Sequence, residues 1–252
     1  MNRNLLLSGL CLLASVAFGQ RPEPDQLKTS KGNLTIQPIL HGTVVLQWNN
    51  KTIYVDPYGG EKAFAGVQAP DMVLITDIHG DHLNAETLGG IDLSKAIIIA
   101  PQAVFDQLDE KLKPKAVVLA NGKSTTKLDV KIMAIPMYNL PEDADSRHTK
   151  GRGNGYVLEM GGKKVYFSGD TEDIPEMRKL SGIDVAFVCM NLPYTMDIDQ
   201  AASAVLEFKP KVVYPYHYRG QGGLADVEGF KKKVSAVNSA IEVRLRNWYP
   251  EY

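Results

Sequence analysis

Residues 76–82 of this chain read Thr76-Asp77-Ile78-His79-Gly80-Asp81-His82. They follow the apolar run 72–75, whose β-branched residues predict a buried strand. A loop that leaves a rigid strand end can direct several side chains at one point, and imidazole nitrogens and carboxylate oxygens bind zinc and similar divalent metals. A solvated polar turn is the alternative, but two histidines and two aspartates lie unusually close together here for such a turn. The stretch therefore predicts a metal site at the end of a strand.

This stretch resembles the His-x-His-x-Asp-His signature of the metallo-β-lactamase superfamily, with Asp77 at the position of the first histidine. The resemblance covers nearly all of the chain after its N-terminal segment. It implies an α/β (α+β) fold, a four-layer αββα sandwich of the metallo-β-lactamase type with the metal site at one edge between two sheets. The predicted order of elements, strands then helices and again strands then helices, fits two such halves.

The resemblance implies a metal centre built from the ends of several strands. The implied ligands are Asp77, His79, Asp81, His82, Asp170 and His217. Asp170 belongs to a Gly-Asp-Thr sequence directly after a predicted strand, and His217 directly follows the predicted final core strand. Zinc, or manganese or another divalent metal, is the expected cofactor, as one or two ions.

Two earlier segments extend the resemblance. Superfamily members of the lactonase-like branch open similarly, with a histidine at the start of a strand, here His41, and a later Asp-Pro, here Asp56-Pro57. His41 is a substrate-site candidate or a histidine with a purely structural role, and the sequence favours neither. Asp56 is expected to orient the ligand loop rather than to bind the metal.

Two departures from the family pattern weaken one of its two usual metal positions. Asp77 replaces the first histidine, and Asn139 stands about where a further metal-binding histidine would be. An amide is a poor zinc ligand. His148, in the polar loop 141–154, is expected to complete the site, and Asp81 and His148 are the catalytic candidates.

The loop 141–154 also carries Lys150 and Arg152. Long irregular loops in compact domains often carry function, and these basic side chains could hold an anionic substrate group. With His41 and Asn139 they form the set of substrate-site candidates. The alternative is a solvated loop whose basic residues contact nothing.

Composition narrows the functional class. The chain has 252 residues, of which 44% are hydrophobic, and a net charge of −1, as expected for one large globular domain. The chain has no excess of basic residues of the kind that would indicate a nucleic-acid partner. After the N-terminal segment, no apolar run is long enough to span a bilayer. Cys189 is the one cysteine after that run, so no intramolecular disulfide is expected, and its apolar surroundings favour a buried core thiol.

Residues 1–19 have the features of a signal peptide. Arg3 supplies the positive start, and Leu5–Phe18 forms the apolar core. The small residues at its end fit cleavage before Gln20. A secreted or periplasmic protein without a transmembrane span in its mature chain is therefore expected.

Two other interpretations of this segment fit less well. A retained membrane anchor would need a longer apolar run, and a lipoprotein signal would need a small residue where Leu10 precedes Cys11. After the signal peptide, residues 20–32 are polar and contain prolines, which predicts a linker. Residues 33–252 are expected to form the hydrolase domain.

The resemblance implies an enzyme, a metal-dependent hydrolase closest to the branch of ascorbate-phosphate lactonases and N-acyl-phosphatidylethanolamine phospholipase D. Metal-bound hydroxide would cleave a lactone, ester or phosphodiester in a small-molecule substrate, expected here to be anionic. Cleavage of β-lactams fits less well, because the Asp-Pro, Gly-Asp-Thr and Tyr-His-Tyr contexts resemble the other branch. The alternative is a degenerate member that binds metal or ligand without catalysis. The oligomeric state is not predicted.

Overall fold

Two seven-stranded sheets form the core of this computed structural model, which describes residues 21–250. The strands of the first sheet lie side by side in chain order: β1 (Asp25–Thr29), β2 (Gly32–Pro38), β3 (Val44–Trp48), β4 (Lys51–Val55), β5 (Met72–Leu74), β6 (Ile97–Ala100) and β7 (Ala116–Val118). Strands β1 to β4 pair antiparallel, whereas β4 to β7 run parallel. The carboxyl ends of β4 to β7 therefore meet at one edge of the sheet.

The second half of the chain repeats this arrangement. Its strands are β8 (Ser124–Lys127), β9 (Val130–Met137), β10 (Gly153–Met160), β11 (Lys163–Phe167), β12 (Val185–Cys189), β13 (Val212–Tyr216), β14 (Arg219–Gly220), β15 (Gly223–Leu224) and β16 (Glu242–Val243). Strands β8 to β11 pair antiparallel, and β11, β12, β13 and β16 run parallel. Strands β14 and β15 form a separate hairpin beyond β13. This second sheet also gathers the carboxyl ends of its parallel strands at one edge.

The helices connect the parallel strands and cover the sheets. They are α1 (Ala85–Gly90), α2 (Gln102–Gln107), α3 (Pro175–Arg178), α4 (Ile198–Phe208) and α5 (Val227–Val237), with short 3₁₀ turns at Glu61–Phe64 and Lys113–Lys115. A buried cluster beneath α1 and α2 contains Val45, whereas Val44 and Leu46 belong to the cluster shared with the second sheet. This alternation places one face of β3 toward helices and the other toward the second sheet. The predicted four-layer αββα sandwich is confirmed.

The predicted linker is wrong for part of its length. Residues Asp25–Thr29 form β1, which pairs with β2 from Asp25 opposite Ile36 to Thr29 opposite Gly32. This edge strand exposes alternate side chains, so its sequence is polar enough to pass for a linker. The folded domain therefore begins before residue 33. The predicted signal peptide lies outside the described residues.

The sequence predicts two helices that are shorter in the structure. Pro101 and the apolar residues Val104, Phe105 and Leu108 predict a helix over residues 101–112. This helix spans Gln102–Gln107, because the backbone of Leu108 is already extended with ψ 146°. A second helix is predicted over residues 172–180 but spans only Pro175–Arg178, where the proline lacks the N–H that an earlier start would need. Within residues 21–250, none of the helices combines the length and the apolar character needed to cross a membrane.

Candidate metal centre

The predicted ligands converge where the carboxyl ends of the two sheets meet. The ligand loop follows β5, Asp170 follows β11, and His217 follows β13. The side chains that approach one another there are those of Asp77, His79, Asp81, His82, His148, Asp170 and His217. Six of these seven were predicted as metal ligands, and His148 was predicted to join them.

The tightest group consists of His82, Asp170 and His217, each at least 97% buried. The Nε2 atoms of the two histidines lie 3.2 Å apart. Asp170 Oδ2 is 3.4 Å from His82 Nε2, and Asp170 Oδ1 is 3.4 Å from His217 Nε2. Two ligands of one zinc ion, with bonds of about 2.1 Å, lie roughly 3.4 Å apart in a tetrahedral site. The three side chains therefore fit a single divalent ion between them.

Asp56 fixes the orientation of His82. Its carboxylate lies 2.8 Å from His82 Nδ1 and accepts a hydrogen bond of 2.8 Å from the backbone N–H of Thr76. With a proton on Nδ1 shared with Asp56, the lone pair of His82 Nε2 is directed at Asp170 and His217. The sequence-based prediction that Asp56 orients a ligand instead of binding metal agrees with these contacts.

The ionisable side chains of this group change one another's pKa values. Burial lowers the pKa of His82, but the carboxylates of Asp170 and Asp56 raise it more, so the pKa lies well above its usual value. Burial raises the pKa of Asp170, but His217 and His82 lower it more, to well below its usual value. The buried carboxylate of Asp170 thus stays ionised, and a divalent metal ion can supply the nearby positive charge that it requires.

Two buried polar atoms that face this centre also lack a hydrogen-bond partner. Within residues 21–250 there are six such side-chain atoms, and His148 Nε2 and Asp170 Oδ1 are the two that point into the ligand group. Buried polar groups are normally paired, so these two atoms call for a missing partner. A cation that accepts nitrogen and carboxylate ligands satisfies that need.

His148 reaches the centre as predicted. Its Nε2 atom lies 3.3 Å from Asp170 Oδ2, and its side chain is fully buried. Asn139 Oδ1 accepts a hydrogen bond of 2.8 Å from the backbone N–H of His148 and lies 3.1 Å from its Nδ1. The Asn139 amide also donates to the backbone oxygen of Tyr194 at 2.9 Å. The Asn139 amide therefore holds the His148 ring, and its assignment to the substrate stays a prediction.

His41 also lies at the centre. Its Nε2 atom is 3.0 Å from Asp81 Oδ2, which in turn is 3.2 Å from His217 Nε2. The other ring nitrogen of His41, Nδ1, lies 2.7 Å from the hydroxyl of Tyr249. His41 therefore touches a ligand candidate, and Tyr249 enters the site from the C-terminal tail. No local sequence pattern marks Tyr249 as a residue of the site.

Two basic residues of the loop 141–154, Lys150 and Arg152, form ion pairs within the protein itself. Arg152 donates to both carboxylate oxygens of Asp77, with Nε–Oδ1 3.1 Å and Nη2–Oδ2 2.9 Å. Lys150 Nζ lies 2.7 Å from Glu142 Oε1 and 3.5 Å from Glu176 Oε1. Arg152 is therefore paired with a buried carboxylate and Lys150 with exposed ones, and their assignment to an anionic substrate group stays a prediction.

Comparison with known proteins gives a consistent result. The family described as "Beta-lactamase superfamily domain" matches residues 35–217. A UPF0173 metal-dependent hydrolase of Pyrococcus abyssi is 33% identical over 196 residues, which cover 73% of this chain and 85% of that protein.

Two solved structures resemble the fold. A proposed metal-dependent hydrolase of Parabacteroides distasonis is 39% identical, with a TM-score of 0.79 over 90% of this chain and 99% of the other. A metallo hydrolase of the archaeon Ignicoccus hospitalis has a TM-score of 0.71 at 24% identity, over 87% of this chain and 96% of the other. At that identity the second likeness concerns the fold alone.

Proposed function

This chain belongs to the β-lactamase superfamily, among the UPF0173 metal-dependent hydrolases, and from this premise we propose that it cleaves a lactone, ester or phosphodiester bond in a small molecule. The ion is proposed to be zinc or manganese, because the donor set consists of imidazoles and carboxylates. The closer relation to the lactonase and phospholipase D branch stays a prediction.

The observation that carries this proposal is the convergence of His82, Asp170 and His217. Their facing atoms are separated by 3.2–3.4 Å, as ligands of one ion would be. In this arrangement Asp56 holds the His82 ring from behind, so the ligand set is rigid before any ion arrives. A rigid set reduces the entropy cost of metal binding.

When bound, a divalent metal lowers the pKa of a coordinated water and polarises the oxygen of the bond under attack. Asp81, whose carboxylate contacts His41 and His217 at the edge of the centre, would accept a hydrogen bond from the attacking water. Burial raises the pKa of Asp81, but His217 and His41 lower it more, so its carboxylate is ionised at neutral pH and accepts hydrogen bonds. His41, which contacts Asp81, and His148, which contacts Asp170, hold these carboxylates in place.

Turnover of a substrate panel tests the proposal. The purified protein, stripped with a chelator and reloaded with zinc or manganese, is assayed on a γ-lactone, a p-nitrophenyl ester and bis-p-nitrophenyl phosphate. We expect hydrolysis of at least one substrate class, loss of this activity on chelation, and a loss of at least about a hundredfold in His217→Ala. Lys233→Gln, at an exposed ion pair with Asp199 away from the centre, is the matched control. Failure of the metal-loaded protein on every class would contradict the proposal.

A non-catalytic binding member of the same fold is the second candidate. This alternative is favoured by Asp77, which stands at the position of a histidine in the family signature. Its carboxylate forms an ion pair with Arg152, so this position offers no imidazole to a metal. Tight metal binding without turnover on any of the three classes would support this alternative.

We also propose that the protein is exported with cleavage before Gln20. The motive is the N-terminal sequence, with Arg3 ahead of the apolar run Leu5–Phe18. N-terminal sequencing of protein recovered from its native host tests this proposal. A cytoplasmic protein that retains its first residues would contradict it.

A further inference from the structure

Asp77 is fully buried at the position where the signature of the family has its first histidine. Its two carboxylate oxygens each accept one hydrogen bond from the guanidinium of Arg152, at 3.1 and 2.9 Å. This is the two-pronged geometry in which arginine and a carboxylate bind most strongly. Arg152 itself keeps 19% of its side chain exposed, at the rim of the centre.

The distances around Asp77 differ from those in the main ligand group. Asp77 Oδ2 lies 2.9 Å from Arg152 Nη2 and 2.7 Å from His79 Nδ1. Both separations are shorter than the roughly 3.4 Å between two ligands of a tetrahedral zinc ion. The main group, by contrast, has separations of 3.2–3.4 Å. The two sides of the centre are therefore built differently, one as an ion pair and the other as a set of ligands.

The charges around Asp77 and Asp170 also distinguish the two sides of the centre. Asp77, His79 and His148 lie close enough together to resemble a second set of metal ligands. A second ion among them would lie beside the guanidinium of Arg152, and two cations in a buried site repel each other. The guanidinium already balances the carboxylate, whereas no lysine or arginine of residues 21–250 forms an ion pair with Asp170.

We propose that Arg152 takes the place of a second metal ion, so that the chain binds one ion, on His82, Asp170 and His217. This inference rests on the proposed function as far as the first ion is concerned. Asp77 is then a partner for Arg152 instead of a ligand. Asp77 and Arg152 then form a neutral ion pair at that side of the centre.

Metal stoichiometry tests the inference. The full chain is stripped of metal, titrated with Zn²⁺ alone, desalted and analysed by mass spectrometry of the elements, with circular dichroism to confirm folding. We expect one ion per chain in the unaltered protein and in the control Lys233→Gln. Asp77→His combined with Arg152→Gln restores a nitrogen ligand and removes the cation, so two ions per chain are expected. Arg152→Gln alone keeps Asp77 and should bind a second, weaker ion, which covers the case in which the double variant does not fold.

The outcomes separate this inference from the proposed function. Two tightly held ions in the unaltered protein would overturn the inference and leave the proposed hydrolysis standing. A folded double variant and a folded Arg152→Gln that both remain at one ion would also overturn it. An unaltered protein that binds no zinc and hydrolyses no substrate would instead contradict the proposed function.

Discussion

The hydroxyl of Tyr249 lies 2.7 Å from Nδ1 of His41, although 208 residues separate them in the chain. The same hydroxyl accepts a hydrogen bond of 2.9 Å from the backbone N–H of Arg219. The backbone N–H of His41 in turn donates to the carbonyl of Trp248 at 3.0 Å. The C-terminal tail therefore fixes the ring that contacts Asp81, and through it the edge of the metal centre.

Tyr249→Phe is expected to lower kcat by roughly tenfold, because His41 loses the contact that orients it toward Asp81. The change in the free energy of unfolding should be only about 1 kcal/mol, since a single hydrogen-bonding hydroxyl is removed. Steady-state kinetics and thermal unfolding measure the two effects. Tyr218→Phe, which removes a neighbouring hydroxyl that does not touch His41, should leave kcat unchanged. An unaltered kcat in Tyr249→Phe would mean that the tail acts only by packing.

Asp56→Asn is expected to weaken metal binding by about 10- to 100-fold, because His82 loses the carboxylate that accepts its Nδ1 proton. Asparagine tolerates the left-handed backbone at this position, where φ is 44°, so the main chain should be preserved. Competition with a metal indicator measures the affinity. If affinity stays at that of the unaltered protein, the orientation of His82 does not depend on Asp56.

His148→Ala is expected to reduce metal affinity and turnover together, because its Nε2 contacts Asp170 inside the centre. Asn139→Leu should reproduce part of this loss by releasing the His148 ring from its hydrogen bond. Affinity and kcat/KM are measured on both variants. Full metal content and full rate in His148→Ala would show that the ring only fills space.

His82→Ala and His217→Ala are each expected to lose most of the bound metal, since they remove two of the three side chains in the tightest group. Asp77→Ala should retain more metal, because its carboxylate is held by Arg152. Elemental analysis of the purified variants compares the three. Equal loss in Asp77→Ala would reverse this ranking of the two sides of the centre.

The free energy of unfolding should depend on pH through Asp71, which lies at the amino end of β5, opposite to the ligand loop. Burial raises its pKa, but the N–H of Thr52 and the ammonium of Lys95 lower it below its usual value. Since the pKa in the folded state is the lower one, this stabilisation is present above the unfolded pKa of about 4 and is lost as the pH falls through the folded pKa.

Asp71→Asn is therefore expected to be less stable than the unaltered protein by about 1 kcal/mol near pH 7, and this difference should shrink toward about pH 3. Urea denaturation with a chelator present at every pH removes the contribution of metal binding. A difference that stays constant with pH would show that the charge of Asp71 does not stabilise the fold.

Much of the fold and of the centre could be predicted from local sequence. The apolar run before the ligand loop marks β5, and the residues after β11 and β13 supply Asp170 and His217. These patterns are local because a buried strand needs an apolar run and its end is where polar side chains can gather. Strand β1 was missed for the same physical reason, since an edge strand needs no such run.

The sequence by itself therefore determined the order of strands and helices and the residues available to hold a metal. Only the tertiary structure decided which partners those residues have. Arg152 forms an ion pair with Asp77, which lies 75 residues earlier in the chain. Asn139 accepts a hydrogen bond from the backbone of His148, and no sequence pattern predicts the loop conformation that brings them together. A basic or amide side chain has many possible partners, and the choice depends on which loops the two sheets bring together at their shared edge. That choice pairs Arg152 with the buried carboxylate of Asp77.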